Sequence, residues 1–212
     1  MMPLSRRAFA TAAMASVLVG CGGQGTEEGA NAGSRRRRDA QRSEEGLSPS
    51  PSANSARTLG RSAPVRLQIP AIEVDTPLIR LGLAPDGTVQ VPPVTADDRA
   101  GWYRHSPTPG QLGPSVILGH VTVGAYGDGV FRHLARLHRG DRIVARREDG
   151  TTAEFAVSAV RTVAKADFPA DDVYGDVDRP ELRLITCGGP RAEDDEYRDN
   201  VIVFAELSAA SR

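Results

Sequence analysis

The sequence predicts a mainly β domain, a closed barrel or a sandwich, over residues 62–209. Short runs that alternate apolar and polar residues recur along this part of the chain, and Gly, Pro, Asn and Asp separate them. Seven or eight short strands at this spacing, joined by helices of one or two turns, are typical of barrels and sandwiches. The length suits a single domain, and we find no internal repeat.

The strands are predicted in the following order. The entry segment 65–83 alternates but is interrupted by Pro70 and Pro77, and an Asp-Gly turn precedes the run 88–92. The further predicted strands are 115–121 (SVILGHV), 141–147 (DRIVARR), 153–163 (AEFAVSAVRTV), 181–187 (ELRLITC) and 200–207 (NVIVFAEL). Short helical connections are predicted at 95–99, 130–137 and 165–174.

Residues 1–20 predict an export signal. Arg6 and Arg7 precede thirteen uncharged residues, fewer than the roughly 20 apolar residues of a membrane-spanning helix. The run Leu-Val-Gly-Cys that ends at Cys21 matches a lipobox and predicts lipidation of that cysteine, and the segment 5–9 resembles a twin-arginine export motif. An uncleaved signal anchor is the alternative.

Residues 21–61 predict a disordered membrane tether. They carry almost no large apolar side chain, so burial cannot offset the entropy of ordering them. We therefore expect a domain held at the outer face of the cell membrane. A formal net charge of −1 and the absence of a nucleic-acid-binding motif argue against nucleic-acid partners.

Cys187 is the only cysteine of the predicted domain. With Cys21 lipidated, Cys187 is a free thiol outside the cytoplasm, which indicates either a reactive group or a packed, inert side chain. Alternation along its strand places Cys187 on the face opposite Leu182, Leu184 and Thr186.

A thiol at neutral pH needs a proton partner and a positive charge near the reacting carbonyl, because the thiolate is the nucleophile. Among the histidines, His133 and His138 lie in or beside a short predicted helix, where a solvated role is expected. His105 lies in a loop and could border a site. His120 ends an apolar strand, where a packed core histidine is the alternative to a catalytic one.

Three strands, LRLITC, VILGHV and YRDNVIVFAEL, resemble in this arrangement the signature strands of sortases, the cysteine transpeptidases of Gram-positive cell surfaces. The T-L-x-T-C motif of the family is matched except at its first position, where Arg183 stands. The entry segment, the block GWYRHSPTPGQLGPSVILGH and the Gly-Gly after the cysteine look most like the actinobacterial class F group.

The resemblance implies a closed eight-stranded sortase-type β-barrel with a Cys-His-Arg site. Cys187 would attack the Thr-Gly carbonyl of an LPxTG-like sorting signal and form a thioacyl enzyme. His120 would move the proton, and Arg198 would hold the substrate and oxyanion. The resemblance also implies substrate-binding roles for three further residues, Asn200, Thr186 and His105.

The partners implied are exported proteins with LPxTG-like signals and an amine of the peptidoglycan precursor or cross-bridge. The chemistry needs no metal and no organic cofactor, and we expect a monomer. In many sortases the arginine directly precedes the last strand, where this chain has Asn200, so Arg191 is an alternative to Arg198.

Two other functions stay open at this point. A cysteine peptidase or hydrolase on the same scaffold would let water resolve the thioacyl intermediate. A non-catalytic surface lipoprotein would use the barrel to bind a peptide or wall fragment, with Cys187 packed. The S-H-G-C pattern expected of an L,D-transpeptidase is absent.

Overall fold

The computed structural model describes residues 58–94, 99–192 and 196–212. The predicted export signal, Cys21, nearly all of the predicted tether and most of the predicted helix at 95–99 lie outside the described residues. No helix in the described part of the chain has the length and apolar character needed to cross a bilayer.

Eight strands form the domain, and the longest connections follow β2, β4 and β6. The strands are β1 (Pro64–Ile69), β2 (Val74–Leu81), β3 (Ala100–Tyr103), β4 (Gly113–Leu118), β5 (Arg142–Arg147), β6 (Thr152–Ala164), β7 (Pro180–Arg191) and β8 (Tyr197–Ser211). The helical segments are α1 (Ala170–Tyr174) and the 3-10 turns Pro70–Ile72, Gly124–Tyr126, Leu134–Arg136 and Lys165–Asp167.

The strands close into one barrel in the order β1-β2-β3-β4-β7-β8-β6-β5, with β5 pairing back to β1. Most neighbours are antiparallel, but β2 runs parallel to β3 and β4 runs parallel to β7. The prediction of a closed eight-stranded barrel with short connecting helices is confirmed, and closure leaves no free sheet edge.

The first hairpin shows how the sequence sets a turn. Pro70 has no backbone N–H for the ladder, so β1 ends at Ile69 and Pro70 starts a 3-10 turn instead. Glu73 then takes a left-handed conformation, with φ of 58°, and its N–H donates to the Pro70 carbonyl. This reverses the chain into β2.

Two details differ from the sequence-based prediction. The run 88–92 forms no strand and contributes only an isolated bridge between Val89 and Leu83. The strand beside β2 is β3, which has only four residues and which the periodicity did not indicate. A Cβ at Gly101 of β3 would lie 2.4 Å from the Leu81 side chain. The absence of a side chain at Gly101 therefore allows the close packing of β3 on Leu81, and no alternating apolar pattern marks this strand in the sequence.

The barrel interior is filled by inward-facing side chains, among them Leu67, Ile117, Phe131, Ile143, Phe155, Leu182 and Leu184. A smaller apolar group, here called the outer cluster, covers the outside of β4, β7 and β8 and comprises Val116, Ile185, Ile202 and Phe204 with Val173 of α1. Both faces of β7 are therefore buried, and the buried residues include the polar side chains of Glu181, Arg183 and Thr186.

The domain also includes residues just before the predicted boundary at 62. The Leu59 N–H donates to the Gly110 carbonyl, and the Leu59 side chain packs on the core. The buried Arg147 guanidinium donates to the carbonyls of Gly60 and Ser62, and burial lowers its pKa. These contacts fasten the start of the domain to β5.

Candidate active site

Cys187 lies on β7 and its side chain points to the outside of the barrel. Leu182 and Leu184 face the core and Ile185 belongs to the outer cluster, so alternation puts Cys187 on the side of Ile185. The thiol is free and half-buried. A thiol at this position can meet a ligand that lies along the outer face.

His120 follows β4 directly and shares this face. Val116 belongs to the outer cluster and Leu118 packs against it, and His120 continues their alternation. Leu118 pairs with Ile185 of β7, and the next N–H, that of Gly119, donates to the Ile185 carbonyl at 3.1 Å. The chain therefore leaves the sheet at His120 beside the strand that carries the thiol.

A loop and a carbonyl hold His120 in place. Its own carbonyl accepts the N–H of Phe131 at 2.9 Å, and Gly129 lies so close that a Cβ there would be 2.2 Å from the His120 oxygen. The ring Nε2 donates to the Pro92 carbonyl at 2.5 Å. When the neutral ring donates through Nε2, Nδ1 is the nitrogen left to accept a proton.

The third strand at the site is β8. Asn200 pairs with Cys187 across the ladder, so both side chains emerge on one face, and Arg198 lies two residues earlier on that face. The Asn200 side chain is half-buried and Arg198 is exposed. The two glycines after the cysteine make room for β8, because a Cβ at Gly188 would lie 2.6 Å from the Val201 side chain.

An open groove of about 630 Å³, here called the catalytic groove, contains Cys187. Its other polar lining residues are Thr122, Asp128, Lys165, Arg191, Glu196 and Tyr197. Arg191 donates to the Tyr197 hydroxyl at 3.1 Å and stacks 4.7 Å from its ring, and Lys165 lies 3.5 Å from Glu196. Both signs of charge therefore surround the thiol.

The structure brings together some of the predicted site residues and separates others. Cys187, His120, Asn200 and Arg198 share one face of three adjacent strands, but it is Arg191 that lines the catalytic groove with the cysteine. Thr186 is 4% exposed and points into the barrel.

His105 is exposed and lies in a second cavity of about 440 Å³, here called the aromatic cavity, together with Tyr103 and Tyr174. Burial, and to a lesser degree the neighbouring Tyr103, raises the pKa of Tyr174. This cavity is also lined by Val116. Val116 stands four residues before His120 in the chain, so this side of the cavity lies roughly 13 Å from His120 at the rise of a strand.

Sequence reasoning missed Lys165 and Asp128 as groove residues, and no pattern marks them. Each lies in a connection whose path is set by packing elsewhere.

Fold and site together define a class: a closed β-barrel with a free thiol on one strand and a histidine just past the end of the parallel strand beside it. The model of the sortase domain family matches residues 67–208, about two thirds of the chain. The chain belongs to the sortase family. Members of this family are cysteine transpeptidases that act at the cell surface.

Solved structures with the same fold are sortases of several classes. The sortase D5 transpeptidase of Clostridium perfringens is 21% identical, with a TM-score of 0.50, 68% of this chain covered and 78% of the other. Sortase C-1 of Actinomyces oris is 23% identical, with a TM-score of 0.51 and coverages of 67% and 72%. Sortase A of Corynebacterium diphtheriae is 22% identical, with a TM-score of 0.52 and coverages of 70% and 61%. No curated protein matches the chain significantly.

Proposed function

We propose that this protein is a cell-surface transpeptidase that cuts an LPxTG-like sorting signal between Thr and Gly and joins the exported protein to a cell-wall amine. The observation that carries the proposal is the common outer face of Cys187 on β7 and His120 just past the end of the parallel strand β4. The entry segment 65–83, the block 101–120 and the Gly-Gly after Cys187 support a class F assignment. The wall amine would come from the peptidoglycan precursor or its cross-bridge.

The proposed reaction has two acyl transfers. The Cys187 thiol gives its proton to His120 as the sulfur attacks the Thr carbonyl carbon, and the tetrahedral oxyanion faces a guanidinium. His120 gives its proton to the leaving Gly amine as the C–N bond breaks, and a thioester remains. The incoming amine then attacks the thioester, His120 takes its proton, and the sulfur leaves as thiolate. No atom is oxidised or reduced.

Two arginines are available for the oxyanion. Arg198 shares the outer face with Asn200, the ladder partner of the cysteine, and Arg191 lines the catalytic groove itself. We assign the role to Arg198 and a supporting role to Asn200. Replacing each arginine by Gln and comparing the two losses in kcat tests this assignment, because loss of an oxyanion donor costs about 10²–10³-fold.

Intact-protein mass spectrometry tests the reaction. The purified protein is incubated with a library of LPxTG-like peptides and triglycine, beside Cys187→Ala. An adduct on Cys187 and an amine-dependent ligated peptide, both lost in the variant, support the transpeptidase. Cleavage without ligation points to a hydrolase. No adduct, with a thiol that also resists labelling in the folded state, contradicts catalysis and favours a non-catalytic binding protein.

We also propose that the lipid at Cys21 holds a monomeric domain at the outer face of the membrane. The lipobox supports this, and the anchor would keep the groove near lipid-linked precursors and newly exported proteins. Replacing Cys21 by Ser should move the protein from the membrane fraction to the soluble one. A variant that stays in the membrane would favour an uncleaved signal anchor.

A further inference from the structure

One connection borders both cavities on the outer face. Residues 165–176, here called the wall segment, link β6 towards β7 and contain α1. Lys165 at its start lines the catalytic groove, and Tyr174 and Asp176 at its end line the aromatic cavity. A peptide lying along the outer face from the aromatic cavity to Cys187 would follow this segment.

The wall segment has little intrinsic conformational stability. Its only α-helix has five residues, and helices shorter than about 12–15 residues are marginal in water. Val173 is fully buried in the outer cluster, and Phe168 packs against that cluster. Such packing is non-directional, so it limits the distance from the sheet more than it sets orientation.

A buried arginine supplies the directional contacts. Arg183 of β7 is 4% exposed, and its Nε donates to the main-chain carbonyl of Asp172 at 3.1 Å. Its Nη2 pairs with the buried carboxylate of Glu181, and its guanidinium lies 4.5 Å from the ring centroid of Phe204. The side chain therefore joins the sheet to α1 in one fixed geometry.

A second arginine holds the same helical residue. Arg161 of β6 pairs with the Asp172 carboxylate at 2.7 Å, and it also stacks on Phe204, at 4.6 Å. This pair is half exposed and contributes little by itself. Together, the two arginines bind the main chain and the side chain of Asp172 from β7 and β6, the strands on either side of β8.

We propose that Arg183 is a positioning residue that holds the wall segment in its peptide-binding arrangement before the substrate arrives. This rests on the proposed function, because it takes the outer face as the peptide site. Without the guanidinium, the wall segment samples other arrangements. The apparent affinity for peptide then falls in proportion to the fraction of molecules whose wall segment is in the peptide-binding arrangement. The chemical step at Cys187 is unchanged once the peptide is bound.

The test replaces Arg183 by Met, which keeps an apolar stem against Phe204 and removes the guanidinium. We expect amide hydrogen exchange over 170–174 to accelerate at least about tenfold and KM for the sorting peptide to rise about tenfold, with kcat changed less than about threefold. After the single change, the buried Glu181 carboxylate keeps Arg179 as its ion-pair partner, at 2.7 Å. The double variant Arg183→Met with Glu181→Gln removes this buried charge, and it serves where the single variant does not fold.

Arg142→Gln is the matched control, because it breaks another arginine–glutamate pair, with Glu154, on strands away from the groove. It should leave KM and the exchange of 170–174 unchanged. Unchanged exchange in Arg183→Met would refute the hold on the wall segment. Faster exchange with unchanged KM, or an equal fall in kcat, would refute its role in peptide binding.

Failure of the proposed function would look different. In that case the wild-type protein forms no adduct with any sorting peptide, and no KM exists to compare. The exchange measurement still decides whether Arg183 holds the wall segment, while the assignment to peptide binding falls with the function.

Discussion

Gly129 gives a sharp test of whether the position of His120 matters. The two residues face each other in the loop between β4 and β5, and a Cβ on Gly129 would lie 2.2 Å from the His120 oxygen and 2.9 Å from its Cβ. Ordinary contacts begin at 3.4 Å, so Gly129→Ala must displace one of the two residues by about 1.2 Å. Gly129 has no left-handed φ, so the effect is steric alone.

A displacement of about 1 Å in a catalytic group costs about 100-fold in rate. We therefore expect kcat/KM for peptide transfer to fall about 100-fold in Gly129→Ala. Overpacking of this kind also costs about 1–3 kcal/mol of unfolding free energy. Urea denaturation measures that loss separately, so that a folded but slow enzyme is distinguished from an unfolded one.

Gly60→Ala is the control, because nothing lies within 4 Å of a Cβ at Gly60 and its backbone has no left-handed φ. It should leave both the rate and the urea midpoint unchanged. A fully active Gly129→Ala enzyme with an unaltered pH profile would refute the reasoning, since it would mean that His120 tolerates displacement or does not take part.

Three further outcomes are expected. His120→Ala should slow peptide transfer by about 10²–10⁴-fold and alter the pH dependence of Cys187 labelling by a methanethiosulfonate. An unchanged pH profile of labelling would show that His120 does not act on the Cys187 thiol. Arg147→Ala, which removes the buried donor to the first residues of the domain, should lower the unfolding free energy by about 2 kcal/mol in urea, and a loss below about 0.5 kcal/mol would contradict this. The Arg142 hydrogen bond holds the pKa of Glu154 below its usual range, so the stabilisation is present above the carboxyl's unfolded pKa and is lost as pH falls through the lowered value. Arg142→Gln should therefore lower the unfolding free energy slightly at pH 7 and leave it unchanged near pH 2, and a loss that persists at low pH would refute the ion pair as its cause.

Most strands were predictable because burial on one face leaves a period of two in the sequence. The run that became β6 carries that signal most clearly, because Ala153, Phe155 and Val157 are buried and the residues between them are only partly buried. In contrast, β3 is too short to show a period, and it exists because Gly101 lets it approach Leu81. The run 88–92 alternates apolar and polar residues, but only Val89 pairs with another segment, through an isolated bridge to Leu83. The alternating pattern alone was therefore not sufficient to form a strand.

The candidate site residues stood out in the sequence for a related reason. Cys187 and His120 each end an apolar run of the sequence, and a polar residue at such a position costs little burial while it remains accessible. Alternation placed Cys187 opposite the core leucines and put Arg198 on one face with Asn200. Each of these inferences concerns neighbours along one strand, where covalent geometry determines direction.

By itself, the sequence determined which residues alternate, where strands stop, and which polar groups end them. Tertiary structure decided the rest. The parallel pairing of β4 with β7 sets His120 beside the cysteine strand, and the 3-10 turn after β6 brings Lys165 to the groove that contains Cys187. These relations join residues that are far apart in the chain, and only the packing of the whole barrel selects them, because local propensity carries no information about a distant partner.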